Sequence, residues 1–233
     1  MSDQFVQTGA GGTGTTTATD TLTGVTLGNT LVAFAFNGST TAPGTHSCAD
    51  AQGTYTEQTG TGLPATDATN NIWSNIYTLL NANAGSHTVT FTTTAGSSCF
   101  VVLVEVTALS AGAIDNARGA DQVSPGTGTD ALTTGNLVIS AADTLLGFLN
   151  DNSSVTGSDT PTQGSGFSSR GTGNNAVIGV WRVESGSAAA NAPVTGTAIT
   201  GTDDFITLGV AIKNPAGAVP RPGQMGKNFY VMP

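Results

Sequence analysis

The sequence predicts an all-β protein: an antiparallel two-sheet sandwich of jelly-roll or Greek-key type, with pseudo-duplicated halves and extended terminal arms. Three observations carry that expectation. The strand phrase NTLVAFAFN at 29–37 is written again as DTLLGFLN at 143–150, and three later landmarks repeat in the same order. Composition disfavours helices, since glycine supplies 32 of 233 residues and charged residues only 9%, leaving little Lys, Glu or Arg for exposed helix faces. Apolar residues are gathered into short runs bounded by Gly, Asn, Asp and Ser, the punctuation of strands.

The repeated landmarks pair 29 with 143, 70 with 174, 87 with 192 and 99 with 205, offsets of 114, 104, 105 and 106 residues. Solenoid and propeller units recur every ~20–50 residues, so this spacing points to two halves of one sandwich, or to two small sandwiches in tandem. The expected organisation is an N-terminal arm over 1–19, one sandwich domain over 20–213 with halves at about 20–110 and 111–213, and a C-terminal docking arm over 214–233.

Taken in order, the predicted strands of the first half are 29–37, 53–58, 71–80, 87–94 and 99–108. Those of the second are 135–140, 143–150, 174–185, 192–198 and 204–213. Residues 72–80 also place Ile72, Ile76, Leu79 and Leu80 at helical spacing, but their β-branched neighbours favour a strand. The run FVVLVEVT at 100–107 is apolar on both faces until Glu105. It is expected to be a central strand, covered on one side by the other sheet and on the other by a loop or a neighbouring subunit. Glu105 itself reads first as an acid at the sheet margin, solvated or bonded to a loop, ahead of a catalytic carboxylate, because no second acid stands beside it to share catalytic work.

The chain carries a net charge of −9 and a sequence pI near 4.2, with no basic stripe to follow a phosphate backbone, so no nucleic-acid partner is expected. Residues 1–8 lack a basic and then apolar leader, and no apolar run reaches the ~20 residues of a membrane span. Neither secretion nor a bilayer is expected, and the sequons at Asn37 and Asn152 are read as turn residues.

The chemical motifs are weak. Gly9, Gly12 and Gly14 lack the preceding strand, the lysine and the helix of a phosphate loop. His46, Cys48 and Asp50 alternate, but with His87 and Cys99 as the only other soft donors no metal or other cofactor is expected. Two histidines and no Gly-x-Ser-x-Gly elbow give no nucleophile motif, so the chain is not expected to be an enzyme and no catalytic residue is assigned. The aspartate-rich turns lack the alternation of a calcium loop. Cys48 and Cys99 are the only cysteines and a candidate disulfide, although two reduced thiols are the better expectation for a chain without a secretory leader. Trp73, Asn75 and Tyr77 alternate on one strand face and form a candidate glycan-binding set, set against the simpler expectation that Trp73 and Trp181 fill the core.

From Lys213 onward the pattern changes, with four prolines, no acids and three of the six basic residues. The body before it holds three basic and fifteen acidic residues, net −12, against +3 for the tail. The tail is therefore expected to dock on another subunit or partner, with Arg221 and Lys227 drawn to acidic bodies and Phe229, Tyr230, Val231 and Met232 as the apolar anchor.

The ordered phrases GNTLVAFAF, GTYTEQTG, HTVTFTTT, CFVVLVEVTAL, IDNARG and GNLVISAADTLLGFLND resemble a β-sandwich module of bacteriophage virion proteins and bacterial surface proteins. The resemblance covers roughly residues 20–213 and brings no catalytic residue with it. It implies a structural or adhesive role on a virion, as a capsid decoration, cement or fibre-like accessory protein made in the host cytoplasm. The partners it implies are other capsid or tail proteins and further copies of the chain; an adhesion module for a host glycan is the alternative.

Overall fold

The computed structural model describes residues 4–38, 44–67, 72–96, 98–107, 114–123, 129–139, 143–151, 160–175, 178–199 and 204–213. Every regular element among them is a β-strand, and all pairings are antiparallel. The first half contains β1 (Phe5–Thr8), β2 (Gly12–Gly14), β3 (Thr17–Val25), β4 (Thr30–Gly38), β5 (His46–Asp50) and β6 (Gly53–Thr54). It continues with β7 (Thr56–Glu57), β8 (Ala65–Asp67), β9 (Ile72–Leu79), β10 (Gly85–Thr93) and β11 (Ser98–Val106). The second half contains β12 (Ile114–Val123), β13 (Thr129–Thr133), β14 (Asp143–Asp151) and β15 (Thr162–Gln163). It ends with β16 (Phe167–Asn175), β17 (Gly179–Ala188), β18 (Thr195–Ile199) and β19 (Asp204–Lys213).

The halves repeat one plan. A seven-stranded sheet in the order β1-β11-β4-β9-β7, with β2 beside β11 and β8 beside β9, faces a four-stranded sheet β3-β10-β5-β6. A five-stranded sheet β12-β19-β14-β17-β16 faces a three-stranded sheet β13-β18-β15. Pairings nest in both: β1 with β11, β3 with β10, β4 with β9 and β5 with β6, then β12 with β19, β13 with β18 and β14 with β17. Each half is thus a long antiparallel hairpin rolled up on itself. The antiparallel sandwich stands, with four sheets in place of a single pair, because each half closes its own.

The physical reason is legible in β4 and β11, which are apolar on both faces. Leu31, Ala33, Ala35, Val101 and Leu103 join Trp73, Tyr77, Val89 and Phe91 in the core between the first two sheets. Val32, Phe34, Phe36, Phe100, Val102, Val104 and Val106 point the other way and meet Leu146, Phe148, Trp181, Val183, Ile206, Leu208, Val210 and Ile212 of the second half. The second cover expected for β11 is therefore the other half of the same chain. A third, smaller core of Leu132, Leu137, Leu145, Leu149, Val194, Phe205 and Ala211 fills the second half.

Several expected elements shift. The N-terminal segment expected as an arm contributes β1, β2 and the first three residues of β3 to the sheets. A Cβ at Gly12 would stand 1.6 Å from the Thr19 carbonyl oxygen, so only glycine lets β2 lie between β11 and β3. The strand expected at 135–140 lies instead at Thr129–Thr133, with Leu137 making only an isolated bridge to Ala192. The strand expected at 174–185 divides between β16 and β17. The 214–233 arm lies outside the described residues.

Candidate functional site

The ionisable side chains of the first half lie mainly in internal networks. On β5, His46, Cys48 and Asp50 share the face turned toward the seven-stranded sheet, and each does something different. Asp50 Oδ2 lies 2.5 Å from His87 Nδ1 on the neighbouring β10 and accepts from the Tyr55 hydroxyl at 3.4 Å. Its Oδ1 accepts from the Gln52 and Gly53 amides at 2.7 and 2.8 Å, which closes the β5–β6 turn. His87 Nε2 lies 2.9 Å from the Asn83 carbonyl oxygen, so both ring nitrogens face oxygen atoms. Burial, with Asp50 adding to it, pushes the Tyr55 phenol well above its ordinary range.

His46 opens β5. Its ring stacks on Trp73 at 3.6 Å and 9°, and its Nε2 lies 3.1 Å from Asn37 Nδ2. Burial lowers its pKa and favours the neutral ring. Glu105, wholly buried, accepts from Gln7 Nε2 at 2.5 Å, the Thr26 amide at 2.9 Å and Asn29 Nδ2 at 2.6 Å. It ties β1 and the β3–β4 turn to the end of β11, so of the two expected settings it is bonded to a loop and not solvated. Among the described residues, no group of three His, Cys, Asp or Glu side chains is placed to hold a metal ion.

The other predicted site residues are dispersed. Trp73, Asn75 and Tyr77 do share a face, but it is turned into the first core and they are 5%, 1% and 1% exposed. Burial removes the stacking surface a glycan would use, and Asn75 donates to Glu57 at 2.7 Å instead. Cys48 and Cys99 are both buried free thiols, so the candidate disulfide is not formed. Arg221, Lys227, Phe229, Tyr230 and Met232 lie outside the described residues.

An open feature appears in the second half, where the smaller sheet has only three strands. Leu145 of β14, Phe167 of β16, Ser187 and Ala188 of β17, and Ser165, Gly166, Ala192, Pro193 and Thr195 line a cleft of about 270 Å³. Its walls are aliphatic and aromatic, and Ser165, Ser187 and Thr195 supply hydroxyls. The arrangement can hold one apolar or aromatic group and bond a polar atom at its tip.

Two buried acids lie near this end. Glu184, two residues before Gly186 on β17, accepts from the Gly164 amide at 3.2 Å through Oε2, while Oε1 has no partner among the described residues. Burial pushes its carboxyl up to about 8, against the opposing pull of that bond and of Arg182. Asp143 begins β14, and burial followed by the negative charge of Asp115 raises it to about 6. Lys213 Nζ holds Asp115 Oδ1 at 3.1 Å and partly offsets that effect. Glu184 carries a weaker form of the signal at Glu105, since it follows Val180, Trp181 and Val183 but shares its strand with Arg182, Ser185 and Ser187. The Asp50–His87 pair has no local signal, since its members lie 37 residues apart.

No family model matches the chain, and no curated protein and no solved structure is significantly similar to it.

Proposed function

We propose that this protein is a non-enzymatic structural component of a bacteriophage virion, a capsid decoration, cement or fibre-like accessory protein that docks through its C-terminal arm. The observation that carries the reading is the segregation of charge and aromatics: an acidic body of net −12 followed by a basic, proline-rich arm that ends in Phe229, Tyr230, Val231 and Met232. An apolar end of this kind is unfavourable in water unless it docks. The internal use of Asp50, His87 and Glu105 supports a body that serves as scaffold. We read the nested strand pairing as two jelly rolls packed face to face, an architecture shared by viral capsid and lectin domains, which is support by analogy of fold. The glycan-binding alternative loses its aromatic set to the core.

Co-purification with intact particles tests the proposal. The full chain is expected on the particle, and removal of residues 216–233 is expected to abolish that association. A full-length chain that never associates with particles would overturn the reading.

A further inference from the structure

We infer that the cleft over Leu145 and Phe167 receives the aromatic end of the C-terminal arm, residues 229–232, from a second copy of this chain. The inference rests on the reading of the arm as a docking element and names its receptor. The cleft has the size of one or two side chains rather than of the ~300–1,000 Å³ sites that hold drug-sized ligands. Tyr230 matches it, with an aromatic body for Leu145, Phe167 and Pro193 and a hydroxyl for Ser165, Ser187 or Thr195.

The root of the arm lies at the same end of the sheet. Lys213 pairs with Asp143, and Asp143 pairs with Ala188 of the cleft wall, so the arm leaves two strand spacings, about 10 Å, from the cleft. The sixteen residues from there to Phe229 include Pro215, Pro220 and Pro222. A chain spans at most about 3.3–3.6 Å per residue, so sixteen residues reach no farther than about 55 Å, a length sufficient to pass beyond their own body to a neighbouring copy. The arm's two charges, Arg221 and Lys227, are attracted to a neighbouring body that carries four basic and fifteen acidic residues, net −11. One patch reaching into a different patch on the next copy is a head-to-tail contact, which closes a ring or extends a chain of subunits.

Site-directed crosslinking of full-length chains tests this. Ser187→Cys sits on the exposed rim of the cleft and Met232→Cys lies in the arm, while the native Cys48 and Cys99 are buried and do not compete. Mixing the two single variants under mild oxidation is expected to give a covalent dimer containing one chain of each. Adding Tyr230→Ala to the arm variant is expected to cut its yield about tenfold or more, as loss of an anchor residue does. Absence of the mixed dimer overturns the inference, and so does a double variant that closes within a single chain at high dilution. Particle association of the same variants is measured separately: a missing dimer with particle binding retained sinks this inference alone, and a dimer formed by a chain that never reaches particles sinks only the virion reading.

Discussion

Phe34 and Phe148 occupy the same place in the two copies of the repeated strand phrase, and their rings meet 5.5 Å apart at 33°. Each is the central aromatic of its strand, and each pairs across its sheet with a β-branched residue, Ile76 or Val183. The self-matching contact extends outward, since β1 lies against β16 and β8 against β12, edges that correspond in the two halves. The halves therefore meet as the subunits of a two-fold dimer do, through the same surface on both sides.

Phe148 also stacks on Trp181 and lies 4.7 Å from Phe36, at the centre of the largest core. Phe148→Ala is expected to cost about 3–5 kcal/mol. Because that core is shared, both halves should unfold in one transition. Urea titrations followed by tryptophan fluorescence, which reports Trp73 in the first half and Trp181 in the second, and by far-ultraviolet circular dichroism check this; two separate transitions in the wild type would contradict a shared core.

A close backbone crossing joins the halves beside β12. The Gly119 amide donates to the Thr61 carbonyl at 3.2 Å, and a Cβ at Gly62, where φ is +73°, would stand 2.0 Å from the Gly119 carbonyl oxygen. Gly62→Ala must displace the loop and strain its backbone, at about 1–3 kcal/mol. Gly24→Ala, with φ +70° but open space around it, provides the comparison that isolates the crossing from the backbone strain. Equal losses in the two variants, measured by thermal unfolding, would remove the crossing from the account.

Stability should fall as pH rises through the neutral range. Glu184 holds its proton up to about pH 8 in the folded chain, whereas an unfolded glutamate releases it near ~4.3. Between those values the folded state binds more protons than the unfolded one, so stability present below the unfolded value is lost toward pH 8, at no more than about 1.4 kcal/mol per unit. Glu184→Gln, which mimics the neutral carboxyl, should flatten that dependence in denaturation midpoints taken at pH 5, 7 and 9. An unchanged slope in the variant would refute the assignment. Asp143, raised to about 6, adds a smaller loss of the same sign that ends earlier, and Asp143→Asn should remove it.

The Asp50–His87 pair is almost wholly buried, so removing one partner strands the other. Asp50→Ala also orphans the Gln52 and Gly53 amides and is expected to cost about 3–5 kcal/mol. Asp50→Asn retains acceptor capacity and should cost less. A double-mutant cycle with His87→Ala measures the coupling, and additive losses would mean the pair contributes nothing.

Cys48 and Cys99 are expected to resist thiol reagents until the chain unfolds. Burial raises Cys48 well above the ordinary thiol range and Cys99 to about 11, which suppresses the reactive thiolate. Labelling followed by mass spectrometry should give two modifications in urea and none natively; fast native labelling of either would contradict its burial.

Most of the strands that sequence alone located have large apolar residues on both faces, β4, β9, β11, β14 and β19, and β10 was located by the alternation of Val89 and Phe91 with threonines. The strands it passed over have little apolar area. β3 shows the sheet's alternation, but its inward positions are Ala18, Asp20 and Leu22 between exposed threonines, and β2 is Gly-Thr-Gly, which becomes a strand only because β11 and β3 lie close on either side. The repeat, the doubled core-forming strands and the charge contrast of the arm were determined by the sequence, since they depend only on which residues follow one another. Whether the halves share one pair of sheets or close two was decided by tertiary structure, as were the burial of Trp73, the pairing of Asp50 with His87 and the cleft beside Phe167. Those depend on which face of one strand meets which face of another, and alternation along a chain says that two faces are apolar without saying what covers each.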